Sequence, residues 1–329
     1  MNILCVLFLS AVHIGQVYNE QNLGLEWRRF QSKYDKSYRS VVEYKKRMAI
    51  FEENLREYEI HNVLYERGEV SYKKGVNKFT DMTKEEFMEF VNRGMKGKRG
   101  RNKRSLVATD KNVTIPSYVN WVEKGAVTKV KDQGLCGSCY AFSAIGSLES
   151  NYKIFKGKLI PFSEKQLVDC SWNQGNYGCE GGLVSTAYEY VEKYGIESEK
   201  DYPYQDDDGH CYYDKTKVVT KIKGYVEIEE GSERDLQIAV ATMGPVSVAM
   251  DATFELQGYD YGILDDKFCT TYELNHYVVV VGYGVDNGIE YYLVKNSWGE
   301  DWGDHGYFKI VRNKNNRCGI ATMAVYPLM

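Results

Sequence analysis

Along the 329-residue chain, apolar positions recur first every three or four residues and later in alternating or short solid runs. The first spacing marks one face of a helix; the second, bounded by turn residues, marks strands. It predicts a helix over 25–38 carrying Trp27, Phe30 and Tyr34. A longer helix follows, with Glu43, Arg47, Ile50, Phe51, Asn54, Tyr58 and Asn62 on one face and Glu43–Arg47 as a candidate ion pair. Residues 75–81, GVNKFTD, read as a short strand or turn before a helix start at Thr83. Phe142, Ile145, Leu148, Tyr152 and Phe155 predict a helix that Gly157 stops, and 183–194 predicts another. Strands are expected over 221–228, 246–250, 277–283, 290–296 and 306–312.

The pattern divides the chain. Residues 1–17 hold an apolar run of roughly ten residues, too short to span a bilayer, and no charge precedes Glu20, so they read as a cleaved secretory signal. Residues 18–112 form a basic, helical segment. Within it 94–111 reads as an exposed linker, rich in Gly, Lys and Arg, in which Arg101, Asn102, Lys103 and Arg104 offer a cut site for a basic-specific protease. Asn112 opens the Asn-Val-Thr glycosylation sequon. Residues 113–329 read as a globular domain, helix-rich over about 113–204 and strand-rich over about 205–329, with a cleft between the halves.

Charge changes the picture by separating the pieces. From Tyr18 to Lys111 there are 22 Lys and Arg against 15 Asp and Glu; beyond, 20 stand against 31. A basic arm can bind nucleic acid, but here the acidic partner lies in the same chain, and mutual attraction is the economical reading. Cysteines point the same way. Of eight, Cys5 leaves with the signal, and seven in an oxidising compartment imply three disulfides and one free thiol, with 15 connectivities open.

The candidate chemistry begins at Gln133–Ser143, QGLCGSCYAFS, which sets Cys139 at a helix start with Ser138 as candidate N-cap. There the unpaired N–H groups and helix dipole favour a thiolate. A cysteine nucleophile needs a base. Of five histidines, His276 stands apart: it opens the apolar strand HYVVVVGYG, and a turn at Asp286, Asn287 and Gly288 returns the chain to Asn296. Counting back from that turn places residue 276 opposite about 297–299, so Asn296 can orient the imidazole.

QGLCGSCYAFS, the Leu-Asn-His run at 274–276, the NSWG run at 296–299 and the CxGG run at 179–182 together resemble the papain family of cysteine peptidases, in its cathepsin L-like branch. The 43–62 helix resembles the long interspersed motif of that branch's propeptides, with Tyr58 where isoleucine is usual, and Gly75, Asn77, Phe79 and Asp81 resemble the companion motif. The resemblance implies an α+β, papain-like fold of two subdomains, helical on the left and β-barrel-like on the right. An active-site cleft lies between them, and a helical inhibitory propeptide crosses it backwards. It implies disulfides Cys136–Cys179, Cys170–Cys211 and Cys269–Cys318, leaving Cys139 free. It also implies catalysis by Cys139, His276, Asn296 and Gln133, with Trp298 over Asn296, and no cofactor or metal.

For substrate, the resemblance implies an S2 pocket lined by Leu183, Val184, Ala249, Leu274, Tyr277 and Met323, with Gly181 and Gly182 as a backbone edge and Asn275 beside the base. None of the pocket residues is charged, so an apolar P2 is expected. Tyr277 and Met323 stand where smaller residues are usual, so Val, Leu or Pro is expected over Phe or Tyr. Implied partners are protein and peptide substrates, the chain's own propeptide and cystatin-like inhibitors. Neither nucleic acid nor a membrane span is expected. The product is read as a monomer in the secretory pathway, destined for a lysosome or an extracellular or digestive lumen. Acid is expected to weaken propeptide docking as carboxylates protonate. Two other readings stand beside this one. A Cys136–Cys139 redox pair would need those two cysteines bonded, and a catalytically impaired homologue acting as a binding protein is kept open by Tyr277 and Tyr140.

Overall fold

The computed structural model describes residues 20–97 and 113–329. The expected signal at 1–17, the Arg101–Arg104 tract and the Asn112 sequon lie outside the described residues.

Helix α1 spans Glu20–Lys33 and α2 Val41–Glu66. The first ends short of the predicted residue 38 because Asp35 takes a left-handed backbone (φ 48°), which turns the chain away. Trp27, Phe30, Phe51 and Leu55 bury together between the two helices. Strand β1 follows at Tyr72–Lys74, then helix α3 at Lys84–Asn92. Thr83 caps α3 in a reciprocal capping box with Glu86, as its sequence position predicts.

The expected Glu43–Arg47 pair does not form. Arg47 instead donates to the Glu86 carboxylate at 2.5 Å and the Asp81 carbonyl at 2.9 Å, while Glu43 accepts from the Arg39 N–H. Nor is the shared face of α2 simply an apolar stripe. Asn54 donates to the carbonyls of Thr80 and Met82, and Asn62 clamps Lys74 by accepting its N–H and donating to its C=O. These side chains satisfy the backbone of an irregular segment that has few ladder partners of its own.

After a two-residue strand β2 at Val119–Asn120 come helices α4 (Cys139–Lys156), α5 (Glu164–Cys170) and α6 (Val184–Tyr194). The later half holds β3 (Gly224–Glu227), α7 (Glu233–Thr242), β4 (Val246–Met250), β5 (Tyr259–Leu264), β6 (His276–Asp286), β7 (Ile289–Lys295), β8 (Tyr307–Val311) and β9 (Ala324–Leu328). All five expected strands are present. Helices α5 and α7 and strands β5 and β9 were not read from the sequence, being short segments of mixed character.

Among the described residues the strands form one sheet in the order β1-β5-β8-β7-β6-β4-β9-β3, with β2 on β6. Two cores result, one around α4 and one around the sheet. The division of 113–204 from 205–329 is not strict. Strand β2 belongs to the sheet, and Tyr225, Ala249, Tyr277 and Val325 from the strand-rich half complete the α4 core. No described helix is long and apolar enough to cross a membrane.

The basic segment is built into this architecture. Its β1 pairs antiparallel with β5, and its Phe79, Phe87, Phe90 and Val91 bury in the same core as the sheet. Gly75 passes so close to Asp260 that a Cβ would stand 2.9 Å from that carboxyl carbon, and its N–H bonds the Gly258 carbonyl. Asn77 donates to the Gln257 carbonyl at 2.7 Å, and Gln257 returns bonds to Phe79 and Met82.

Candidate active site

Helix α4 begins at Cys139 and strand β6 at His276, so the two halves of the molecule meet where these elements start. The Tyr277 N–H lies 3.4 Å from the Cys139 sulfur. One residue before it, the imidazole donates from Nε2 to Asn296 Oδ1 at 2.9 Å. That oxygen also accepts the Ser297 N–H, which identifies it as the acceptor and leaves Nδ1 as the basic ring nitrogen. The Trp298 ring stacks on the imidazole, centroids 4.8 Å apart.

The predicted hairpin geometry holds. Asp286 pairs with Ile289 across Asn287 and Gly288, both at positive φ, and an irregularity near Val281 shifts the register by one. Met250 faces His276 on the other side, in β4.

Gln133 is fixed from four directions. Its Nε2 donates to the Cys136 carbonyl at 2.8 Å, its Oε1 accepts from the Ser297 hydroxyl at 2.6 Å, its N–H bonds the Ser297 carbonyl, and Tyr204 donates to its own carbonyl. One N–H of the amide is left over. Ser297 and Tyr204 were given no role in the sequence; Ser297 lies within the NSWG run, which could have drawn attention to it, whereas Tyr204 stands in no local pattern that signals a role. Ser138 occupies the N-cap position but does not cap, because its hydroxyl bonds Tyr204 instead.

Three disulfides join Cys136–Cys179, Cys170–Cys211 and Cys269–Cys318, and Cys139 is the free, buried thiol. Cys136 is therefore bonded to Cys179 and not to Cys139, which removes the redox-pair reading. Of the expected pocket residues, Leu183, Val184, Ala249 and Tyr277 cluster in the α4 core, with Leu274 and Met323 packed against it. Asn275 turns its side chain back, accepting from the Ala252 N–H and donating to the Ala252 carbonyl and to Asn92. Its own carbonyl faces the Cys139 sulfur across Gly94.

Residues 94–97 correct the linker reading. Only their first half departs from an exposed spacer: Gly94 is buried over the sulfur and Met95 is half-buried, while Lys96 and Gly97 are exposed as expected. A Cβ there would stand 2.5 Å from Sγ and 2.9 Å from the Asn275 carbonyl oxygen, so only glycine passes. The Gly182 N–H reaches the Gly94 carbonyl at 3.4 Å. Gly181, at φ 103°, would place a Cβ 2.5 Å from the Arg93 carbonyl oxygen. From Asn92 to Gly97 the chain runs from the Asn275 side to Leu183.

This lid dries the site. Burial pushes the Cys139 thiol up to about 12, against the opposing pull of N–H groups from Tyr277, Tyr140 and Cys139 itself. Burial likewise lowers His276 to about 4, against the bond to Asn296. In this covered state both groups are neutral across the range between.

Between arm and body, charge meets charge as the two halves of the composition predict, at the surface and, for Lys74 and Glu255, in a buried pair. Lys78 pairs with Asp132 at 2.6 Å, Lys74 with Glu255 at 3.0 Å, Lys33 with Asp301 at 3.5 Å, and Lys96 with Glu180. Against Trp298 the contact is aromatic: Phe79, Phe87 and Phe90 place their ring centroids 5.3, 5.6 and 5.9 Å from it.

A thiol at a helix start, an amide-held imidazole and an arm laid across both define a cysteine protease in its proenzyme form. Residues 115–328 match the model of the papain family cysteine protease and residues 27–87 that of the cathepsin propeptide inhibitor domain (I29), and the chain belongs to the papain family. Within that family it is a cathepsin L-like proenzyme, a cysteine-type endopeptidase. It is 44% identical to cathepsin L of Sarcophaga peregrina over 99% of both chains and 45% identical to procathepsin L of Mus musculus over the whole of both. Its structure is similar to that of digestive procathepsin L 3 from the larval midgut of Tenebrio molitor, with a TM-score of 0.89 and 43% identity over 93% of this chain and 99% of that one.

Proposed function

We propose that Cys139 is the nucleophile of a secreted zymogen, with His276 as its acid and base. Residues 18–112 act as the inhibitory propeptide and 113–329 as the peptidase. The observation that carries this reading is Gly94 seated on the Cys139 sulfur, since inhibition needs only that the attacking atom be covered.

Once the arm leaves, water returns and the desolvation holding both groups neutral falls away. The N–H groups of Tyr277 and Tyr140 then favour the thiolate, and Asn296 favours the imidazolium. The thiolate attacks the peptide carbonyl, and the oxyanion forms against the Cys139 N–H and the remaining N–H of Gln133. His276 gives its proton to the leaving amine, then takes one from the water that cleaves the thioester. Trp298 shields the Asn296–His276 bond and keeps the ring in plane.

The P2 side chain enters between Leu183, Val184, Leu274 and Met323, over Ala249, while Gly181 and Gly182 pair with its backbone. Val184, Tyr277 and Met323 also line a residual cavity of about 10 Å³. The bulk of Tyr277 and Met323, where smaller residues are usual, supports Val, Leu or Pro at P2 over Phe or Tyr. Glu227 also lines that cavity, a charged neighbour that the sequence reading did not include. The secretory route, ending in a lysosome or an extracellular or digestive lumen, fits the three disulfides. Substrates and cystatin-like inhibitors compete with the propeptide for one cleft.

The test is labelling with an epoxysuccinyl thiol reagent after incubating the proenzyme at pH 4.5 and at pH 7.5, with modified peptides and new N-termini read by mass spectrometry. Label on Cys139 only after acid processing is expected. A folded, processed chain that takes no label would overturn the assignment.

A further inference from the structure

The two groups assigned to the oxyanion come from opposite ends of one short loop. The Gln133 amide stands where it opens, and the Cys139 N–H, on the peptide that follows Ser138, where it closes. Between them lie Gly134, at φ 61°, and Gly137, two residues with no side chain to stiffen the backbone. The middle of the loop is tied down by the Cys136–Cys179 disulfide and by the Gly137 N–H, which donates to the Cys179 carbonyl. Its ends are joined by a side chain from elsewhere, Tyr204. That hydroxyl lies 2.9 Å from the Gln133 carbonyl and 2.7 Å from the Ser138 hydroxyl. A carbonyl only accepts, so the phenol gives its proton to Gln133 and Ser138 gives its own to the phenol oxygen.

We propose that Tyr204 is a positioning residue for the oxyanion site, holding the two donor-bearing segments at a fixed separation. The inference deepens the peptidase reading and rests on it, with the Gln133 amide and the Cys139 N–H as donors. The peptide plane that carries the Cys139 N–H also carries the Ser138 carbonyl, which accepts from the N–H groups of Ala141 and Phe142 at 2.8 and 3.2 Å. Helix α4 thus fixes the backbone of Ser138, and Tyr204 its side chain. Gln133 is divided in the same way. Ser297, from the strand-rich half, bonds its N–H and its Oε1, and Tyr204 bonds its carbonyl.

Tyr204 is itself a fixed point. Its N–H donates to Glu199 Oε1 at 2.9 Å, and the other oxygen of that carboxylate lies 3.7 Å from Lys131 Nζ, which also pairs with Glu149 and Glu164 at 3.1 and 2.7 Å. Its ring meets the Phe142 ring edge-on, centroids 4.7 Å apart. Burial pushes the hydroxyl above the usual phenol range, so it stays a proton donor at acid and neutral pH. Both of its bonds end on the loop and neither on a reacting group, so its effect passes through the loop.

The test uses mature enzyme processed from the full chain, with Tyr204→Phe removing the hydroxyl and leaving the ring on Phe142. For a peptide amide substrate kcat is expected to fall about 3- to 10-fold, the size of a lost hydrogen bond felt at the transition state, with KM within about twofold. A peptide aldehyde, whose hemithioacetal oxygen meets the same donors, should bind more weakly by the same factor. Alkylation of Cys139 by iodoacetamide forms no oxyanion and should keep its rate and pH profile. In a Gln133→Ala background Tyr204→Phe should cost less than in the parent, because one of the donors it holds is gone. Ser138→Ala removes one of the two bonds and should show a smaller loss of the same pattern. An unchanged kcat in Tyr204→Phe, or in Ser138→Ala where the first variant does not fold, would overturn the assignment, as would a kcat loss matched by an equal loss of alkylation rate. A parent enzyme that hydrolyses no substrate and takes no epoxysuccinyl label on Cys139 would overturn the underlying peptidase reading, and this inference with it.

Discussion

Two stretches of the inhibitory arm do different work. Residues 72–91 anchor it: β1 extends the sheet through β5, and Phe79, Phe87 and Phe90 bury against Trp298. Residues 92–97 cover the chemistry with little burial, through a glycine, one long backbone bond and a lysine at the rim. The difference teaches that affinity and inhibition are separable here. Apolar burial supplies most of the holding free energy, whereas the covering segment must stay thin enough to pass over a sulfur atom.

The sharpest way to break that contrast is at the anchor. Phe87→Ala empties a fully buried site, a change that costs about 3–5 kcal/mol in well-packed cores. It should release the arm at neutral pH, seen as Cys139 labelling without acid; a variant as latent as the parent would mean the anchor is not the source of affinity. Gly94→Ala should act next, and differently. Its Cβ collides with Sγ and the Asn275 carbonyl oxygen, so the covering strand must lift while the anchor stays. Labelling of Cys139 should rise severalfold with little change in thermal stability.

Acid tests both parts together. Covering lowers His276 from 6.5 to about 4, so the uncovered state binds more protons between those values. The contribution favouring closure is complete above about pH 6.5 and is lost as pH falls through 4. Glu180, lowered by its bond to Lys96, adds a contribution of the same sign that fades as pH falls below its ordinary 4.5. Cys139, raised by burial in the covered state, acts in the opposite sense, its contribution to closure being lost as pH rises through about 12. Opening should thus begin below about pH 6.5, followed by trapping rates across a pH series. Equal rates at pH 4 and 7.5 would remove both the imidazole and the carboxylates as triggers. The smallest effect belongs to the rim: Lys78→Ala, deleting the exposed pair with Asp132, should shift closure by less than about 1 kcal/mol, measured as the midpoint of that pH series.

Much of this was legible because it is local. The helix from Cys139 to Gly157, the Thr83 cap and the turn at Asn287–Gly288 each depend on residues within a few positions. Hairpin counting then carried His276 to Asn296, since register propagates from a two-residue turn. The odd cysteine count required a free thiol, though its identity came from family resemblance.

What the sequence by itself determined was therefore the set of elements, the separation of a basic arm from an acidic body, and the residues able to do cysteine chemistry. Only the tertiary structure decided which partners they chose. Arg47 prefers Glu86, 39 residues away, to Glu43 one turn back. Ser138 bonds Tyr204 instead of the helix it precedes, and Ser297 locks Gln133 from 164 residues away. The start of a linker becomes the cover of the active sulfur. Such contacts arise from packing between segments far apart in sequence, and neither spacing nor composition encodes which surface a polar or flexible residue will meet once the apolar faces have closed.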